Sequence, residues 1–150
     1  MTTLPAPWLL FKNMPDWVTF PARFDSLIKI SQYVEGAARQ AGLDDSSIYD
    51  LELALDEACT NIIEHAYGGE DKGEIECACV RAEDGFQIHL HDRGQPFDPD
   101  KVRKYNPHKP LRKCKPGGAG LFLMRQVMDE IRFEFHPEEG NTCILVKRSC

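Results

Sequence analysis

The chain has 150 residues, of which 42% are hydrophobic, and this composition suits one compact domain with a single core. Its formal net charge is −6, so the chain as a whole lacks the positive charge that nucleic-acid binding requires, and we expect no direct contact with DNA or RNA. The apolar run at residues 8–11 is far shorter than the roughly 20 residues of a membrane span, and six scattered cysteines are typical of reduced thiols. We therefore expect a cytoplasmic protein with a tail at residues 1–15 and one domain at residues 16–150.

The first half of the chain predicts a strand followed by two amphipathic helices. Residues 17–21 are rich in β-forming side chains. Asp25 is a capping residue ahead of an apolar stripe with steps of three and four, and Gly42 follows the last residue of that helix. Asp44 or Asp45 caps a second helix, whose apolar stripe runs to about residue 65.

The second half predicts two hairpins that are separated by a long loop and a third helix. Strand-like runs at residues 74–81 and 86–92 flank an Asp-Gly pair, which is a strong hairpin signal. Residues 95–116 contain five prolines and no apolar periodicity, so this long segment is expected to form a functional lid. A helix over about residues 120–128 and strands at 131–135 and 142–147 complete the chain. The order predicts an α+β fold, a two-layer sandwich in which a mostly antiparallel sheet carries helices on one face.

Glu57 and Asn61 lie four residues apart on the second helix, so their side chains project within about 40° of each other. The apolar stripe occupies the opposite side of the helix. Such a pair is usually part of the solvated face of an amphipathic helix. The functional alternative is a carboxylate that acts as a general base beside an amide oxygen that binds Mg²⁺.

Asp92 ends a row of apolar residues on one face of its strand. Phe86, Ile88 and Leu90 precede it at every second position and therefore share its face. A carboxylate that is buried there needs hydrogen-bond donors, because an unpaired buried charge is strongly destabilising. Asp92 either caps the turn that follows it or accepts a hydrogen bond from the exocyclic amine of an adenine held between sheet and helices.

Gly117, Gly118 and Gly120 stand immediately before the apolar part of the third helix. Glycines let the backbone approach a ligand closely, and the free amides at a helix start favour phosphate, although a short glycine cluster is more often a plain turn. The preceding segment, from Asp98 to Lys115, carries seven Lys and Arg residues against two Asp, an excess of five positive charges. This excess favours a triphosphate, and a solvated basic loop is the alternative.

Several other chemistries lack their motifs. Cys77 and Cys79 share a strand face, but no second pair at zinc-finger spacing accompanies them. The chain has neither a Gly-x-x-x-x-Gly-Lys loop nor the motif set of ordinary protein kinases. His65 lies beside the Glu57 and Asn61 pair, where a structural histidine at a helix end is more common than a base.

The three sites occur in an order that resembles the ATPase superfamily of gyrase, heat-shock chaperones and histidine kinases. Residues 57–67 (EACTNIIEHAY) resemble its N box, residues 92–97 (DRGQPF) its first glycine box, and residues 117–121 (GGAGL) its second. The single-domain length, the His-Ala-Tyr ending and the third helix (LFLMRQVMDE) are most similar to the anti-sigma-factor serine kinases of bacteria. The resemblance covers nearly the whole chain and implies the histidine-kinase-like ATPase fold, or Bergerat fold.

The resemblance also implies a role for each site residue. Glu57 would be the base that activates the attacking hydroxyl, and Asn61 the Mg²⁺ ligand. Asp92 would contact adenine, with Gly94 beside it, and Thr142 would lie near the adenine ring.

The second glycine box would bind the phosphates through Gly117, Gly118 and Gly120, followed by Leu121. Some members of the family place an Arg just ahead of this box, whereas this chain has Lys115 and Pro116 there. Contact between the lid and phosphate is therefore expected to differ from those members.

The function implied by the resemblance is partner switching. With ATP and Mg²⁺ as cofactors, the kinase would phosphorylate a serine of an anti-sigma-factor antagonist. A sigma factor would compete with the antagonist for the kinase, and the kinase would be a homodimer. The added phosphate would weaken binding of the antagonist. One alternative is a nucleotide-binding regulatory module that sequesters a partner without kinase activity. The catalytic half of a histidine kinase is not expected, since the chain leaves no room for a dimerisation helix pair with a phosphoacceptor His.

Overall fold

A computed structural model describes residues 17–83, 85–101 and 118–148, which form one antiparallel sheet and three helices. The sheet order is β1-β2-β3-β5-β4, and all neighbouring strands are antiparallel. The predicted α+β class is therefore confirmed. In chain order the elements are β1 (Val18–Pro21), α1 (Ser26–Gln40), α2 (Asp45–Asn61), β2 (Glu74–Ala82), β3 (Gly85–Asp92), α3 (Gly118–Val127), β4 (Glu130–His136) and β5 (Gly140–Lys147), with a 3-10 turn at Pro99–Lys101.

The start of α2 confirms one predicted cap, and the start of α1 contradicts another. The Asp44 carboxylate accepts a hydrogen bond from the Ser47 amide at 2.8 Å, which satisfies a free donor of the first turn. The prediction that Asp25 caps α1 is wrong. Its backbone is already helical (φ −59°, ψ −27°) and its side chain accepts no capping bond from the described residues, whereas Ser26 Oγ donates to the Pro21 carbonyl at 2.7 Å.

The second helix changes its geometry at its C-terminal end. It is α-helical to Asn61 and continues as a π-helical turn over Ile62–Ala66, where we predicted α-helix to about residue 65. The Tyr67 amide donates to the Ile62 carbonyl at 3.0 Å, which is the five-residue spacing of a π turn. This wider turn sets the direction of the Ala66 carbonyl and the Tyr67 ring, both of which contact the loop that follows Asp92.

The main core lies between the helices and one face of the sheet. Ile88 and Leu90 of β3 lie opposite Leu145 and Cys143 of β5 in the strand register, and all four side chains are buried in one cluster with α1 and α2. Asp92 has the same alternation and therefore points to the helix side at the end of this row.

The opposite face of the sheet is buried as well, which the sequence did not predict. His89 is fully buried on this face, together with Ala78, Ile144 and Val146. Trp17 contributes to covering it, since its ring lies edge-on to His89 with a centroid separation of 6.4 Å. Burial lowers the pKa of His89 to about 4, so this histidine is neutral at pH 7.

The described cysteines are buried and form no disulfide with one another. Burial raises the pKa of the Cys143 thiol to about 12, so it stays protonated and unreactive. Within residues 17–83, 85–101 and 118–148, no helix has the length and apolar character that a membrane crossing requires.

Candidate functional site

A cavity of about 70 Å³ opens between the end of α2 and the adjoining ends of β3, β4 and β5. It brings together three of the predicted site residues, Asn61, Asp92 and Thr142. Much of the remaining wall is apolar or aromatic, with side chains from α2, the loop after β3 and both strands of the last hairpin: Ala58, Ile62, Ala66, Phe97, Phe133, Phe135 and Cys143. A mostly apolar wall with a few converging polar groups is typical of a small-molecule site.

Asp92 is the charged group at the end of this cavity, and only 5% of its surface is exposed. Its Oδ1 accepts hydrogen bonds from the Gly94 amide at 2.9 Å and from Asn141 Nδ2 at 2.8 Å. Burial raises the pKa of Asp92, and these two bonds oppose part of that rise. Asp92 therefore does cap its own turn, as the structural alternative proposed, and it faces the cavity at the same time.

One further buried polar atom of the cavity lining, Asn141 Oδ1, has no hydrogen-bond partner among the described residues. Thr142 also lines the cavity, but it lies opposite His91 in the strand register, so its side chain points to the other face of the sheet from Asp92. An unsatisfied buried polar atom costs about 1–3 kcal/mol, so a ligand that supplies a partner gains that amount. Asn141 was missed from the sequence, where it is only the last residue of a Glu-Gly-Asn turn signal.

Glu57 and Asn61 do not lie on a fully solvated helix face. Asn61 is half-buried and lines the cavity, and Glu57 is half-buried one helical turn earlier. A Cβ atom at Gly120 would overlap Oε2 of Glu57, so the second glycine box lies directly against this carboxylate. Burial raises the pKa of Glu57, and the charges of Asp56 and Glu64 add to the rise, which makes Glu57 a stronger proton acceptor than an ordinary surface carboxylate.

The first glycine box is held against the end of the second helix by hydrogen bonds and a close backbone contact. A Cβ atom at Gly94 would overlap the Ala66 carbonyl, and the next residue, Gln95, donates its amide to that carbonyl at 2.7 Å. The Tyr67 hydroxyl accepts from the Arg93 amide at 2.9 Å and donates to the Glu74 carbonyl at 2.7 Å. Glycine at position 94 is thus required for the close approach of these two chain segments.

The second glycine box is described only in part. Gly118 begins α3, whereas Gly117, Lys115 and Pro116 lie outside the described residues, together with the predicted basic lid beyond residue 101. Leu121 is buried and is not part of the cavity wall, so the structure does not bring it to this cavity.

The donor set fits ATP with a magnesium ion. A buried carboxylate and an unpaired amide oxygen can accept hydrogen bonds from an exocyclic amine, and the apolar walls suit a purine ring. No group of three or more His, Cys, Asp or Glu side chains in the described part of the chain could hold a metal ion unaided. An Asn61 oxygen combined with phosphate oxygens is the type of site that Mg²⁺ prefers.

Comparisons with known proteins show the family of this chain. Residues 20–147 match the histidine kinase-like ATPase domain family. A serine-protein kinase RsbW of Bacillus subtilis is 33% identical over 142 residues, which cover 91% of this chain and 88% of that protein. One from Oceanobacillus iheyensis is 38% identical over 103 residues, covering 66% of this chain and 65% of that protein.

Two solved structures share the fold. The RsbU and RsbW domains of a Mycobacterium tuberculosis protein match 89% of this chain and 32% of that one, with a TM-score of 0.60 and 23% identity. The catalytic domain of the histidine kinase ThkA matches with a TM-score of 0.51 and 16% identity over 89% of this chain and 98% of that domain.

Proposed function

The chain belongs to the histidine kinase-like ATPase family and, within it, to the serine-protein kinases of the RsbW type, and we propose that it phosphorylates an anti-sigma-factor antagonist with ATP and Mg²⁺. The observation that carries the proposal is the buried Asp92 carboxylate at a cavity where Asn141 Oδ1 has no hydrogen-bond partner among the described residues.

Adenine is the base whose chemistry fits the inner end of the cavity. Its exocyclic amine donates hydrogen bonds, and the carboxylate of Asp92 accepts them. Phe97 and Phe133 lie in contact at a centroid separation of 4.8 Å and form an aromatic wall of the same cavity. The base is therefore recognised by its amine and held by apolar contacts.

Asn61 would hold Mg²⁺ through its amide oxygen. The bound ion would supply positive charge that screens the phosphate oxygens. Gly118 and Gly120 open α3, where free backbone amides favour phosphate, and Gly117 precedes them in the same box.

Glu57 is the proposed general base for the serine hydroxyl of the protein substrate. Its carboxylate lies against Gly120, so the base and the proposed phosphate-binding backbone are neighbours. Its raised pKa makes it a better proton acceptor than an ordinary surface carboxylate.

The partners follow from the type of kinase. We propose that the phosphoacceptor is a serine on an anti-sigma-factor antagonist, that a sigma factor competes for the kinase, and that the kinase acts as a cytoplasmic homodimer. Phosphoserine adds charge of about −2 at neutral pH, and this charge at the interface would release the antagonist.

The test is transfer of labelled phosphate from ATP to the antagonist. We expect label on a serine in wild type, none in Glu57→Gln, and normal labelling in Glu52→Gln, a matched change on the same helix away from the cavity. The phosphate should survive acid, as phosphoserine does. A stable complex without label would support the alternative, a nucleotide-binding module that sequesters its partner, and acid-labile phosphate would contradict a serine kinase.

A further inference from the structure

The side chain of Asn141 makes three hydrogen bonds at the cavity. It lies directly opposite Asp92 in the register between β3 and β5, and 8% of its surface is exposed. Its Nδ2 lies 2.8 Å from Asp92 Oδ1, 3.0 Å from the Gly94 carbonyl and 3.2 Å from the Gln95 carbonyl. One side-chain amide thus joins the acid to both carbonyls of the loop that follows it.

These contacts determine which way the Asn141 amide points. All three neighbours are acceptors, so the atom between them must be the nitrogen, because an oxygen there would face three other oxygens. Asn141 Oδ1 is then directed away from Asp92. It is buried, it has no partner among the described residues, and Asn141 lines the cavity.

We propose that Asn141 is a positioning and base-selecting residue, whose amide nitrogen holds Asp92 in place while its amide oxygen accepts a hydrogen bond from the bound base. This inference rests on the proposed ATP-binding function and goes beyond it by assigning a second determinant of base identity.

The chemistry of the two acceptors explains the selection. A 6-aminopurine presents an N–H donor to Asp92 and Asn141 Oδ1, whereas a 6-oxopurine presents a carbonyl oxygen. The carbonyl oxygen of a 6-oxopurine would face the Asp92 carboxylate and Asn141 Oδ1, and none of these three buried acceptors would have a donor. A site of this kind strongly disfavours binding of the 6-oxopurine. The pair of side chains should therefore favour ATP over GTP more than Asp92 would by itself.

A merely structural role for Asn141 makes a different prediction. If it only stabilised the turn between β4 and β5, its loss would lower the melting temperature and weaken ATP and GTP equally. If it positions Asp92 and selects the base, its loss should weaken ATP more than GTP.

The pH dependence of binding gives a second readout. Asn141 is one of the groups that lower the pKa of Asp92, and the others are the Gly94 amide and the charge of His91. Among the described residues, Tyr67 at the end of the second helix and Cys143 of β5 also interact electrostatically with this acid, and Glu134 of β4 lines the same cavity. Without Asn141 the pKa of Asp92 should rise, so the low-pH limit of ATP binding should move to higher pH.

The experiment is calorimetry with MgATP and MgGTP on wild type, Asn141→Ala and Asn141→Thr, each checked by thermal unfolding. Glu138→Ala, an exposed change in the same turn, is the control. We expect wild type to prefer ATP, and both Asn141 variants to lose about tenfold to a hundredfold in ATP affinity with a smaller loss for GTP.

Unchanged ATP affinity in either folded variant, or equal losses for both nucleotides with an unmoved pH limit, would overturn the inference. If neither variant folds, the side-chain amide resonance of Asn141 in wild type decides: it should shift on addition of MgATP and not of MgGTP, and an unmoved resonance would reject the assignment. Failure of wild type to bind ATP at all would instead refute the proposed function.

Discussion

Replacement of Asp92 by Asn is the sharpest test of the site, because it changes the charge of the side chain and keeps its shape. In the structure one carboxylate oxygen accepts from the Gly94 amide at 2.9 Å and from Asn141 Nδ2 at 2.8 Å. An amide oxygen can keep both bonds, but the second position then becomes an NH₂ group that meets the amine of adenine, donor against donor.

The expected loss can be worked from these contacts. A hydrogen bond from the ligand to a charged acceptor contributes about 1.5–3 kcal/mol, and a buried donor left without a partner costs about 1–3 kcal/mol. Together they amount to roughly 3–6 kcal/mol, which lowers ATP affinity about a hundredfold to ten-thousandfold. Calorimetry with MgATP measures this change directly.

Folding of the Asp92→Asn variant should change little. Burial raises the pKa of Asp92, which means that the ionised carboxylate is already disfavoured there, and a neutral amide escapes that penalty. Asp50→Asn is the matched control, since it removes the negative charge of the 2.9 Å ion pair with Lys147 away from the cavity and should leave ATP binding intact. A folded Asp92→Asn protein that binds ATP as wild type does would refute the assignment of this acid.

Three further predictions concern other parts of the molecule. Because the pKa of Glu57 is raised, kinase activity should fall as pH drops through a value above 4.5, and an activity profile that is flat there would contradict its role as base. In Gly120→Ala the new Cβ would overlap Glu57 Oε2, so phosphotransfer should drop at least about tenfold. Gly36→Ala is the control, because there is open space around its Cβ. This variant should stay active, and its free energy of unfolding should rise by about 0.5–1 kcal/mol. The buried His89 has a pKa of about 4, against about 6.5 in the unfolded chain. Between these two pH values the unfolded state binds a proton that the folded state does not bind. The free energy of unfolding should therefore fall by about 3 kcal/mol as the pH drops from 6.5 to 4. Urea unfolding across this range should show the loss in wild type and a smaller one in His89→Gln.

Local patterns predicted the secondary structure and the direction of the key acid. Strict alternation along β3 placed Asp92 on the core face, because successive side chains of a strand point to opposite sides. Asp44 capped its helix as expected, since its carboxylate is close enough to reach the Ser47 amide. These inferences needed only neighbours within a few residues along the chain.

Features that depend on long-range register could not be read from the sequence. Asn141 is 49 residues from Asp92, and its role becomes visible only when β5 pairs with β3. The π turn after Asn61 and the burial of His89 on the second sheet face likewise reflect packing between distant segments. Asp25 failed as a cap because the chain before α1 is already in a helical conformation, so Asp25 has the wrong backbone geometry for an N-cap.

The contacts of the described residues separate the two ends of the site. Asp92, Asn141 and Thr142 stand on paired strands, and the loop after Asp92 is fastened to the second helix through the Ala66 carbonyl and the Tyr67 hydroxyl. The proposed base recognition therefore rests on described elements that are joined to one another by strand pairing and hydrogen bonds. Glu57 depends instead on the position of Gly120 at the start of α3, so changes that shift this helix should affect phosphate transfer more than adenine binding.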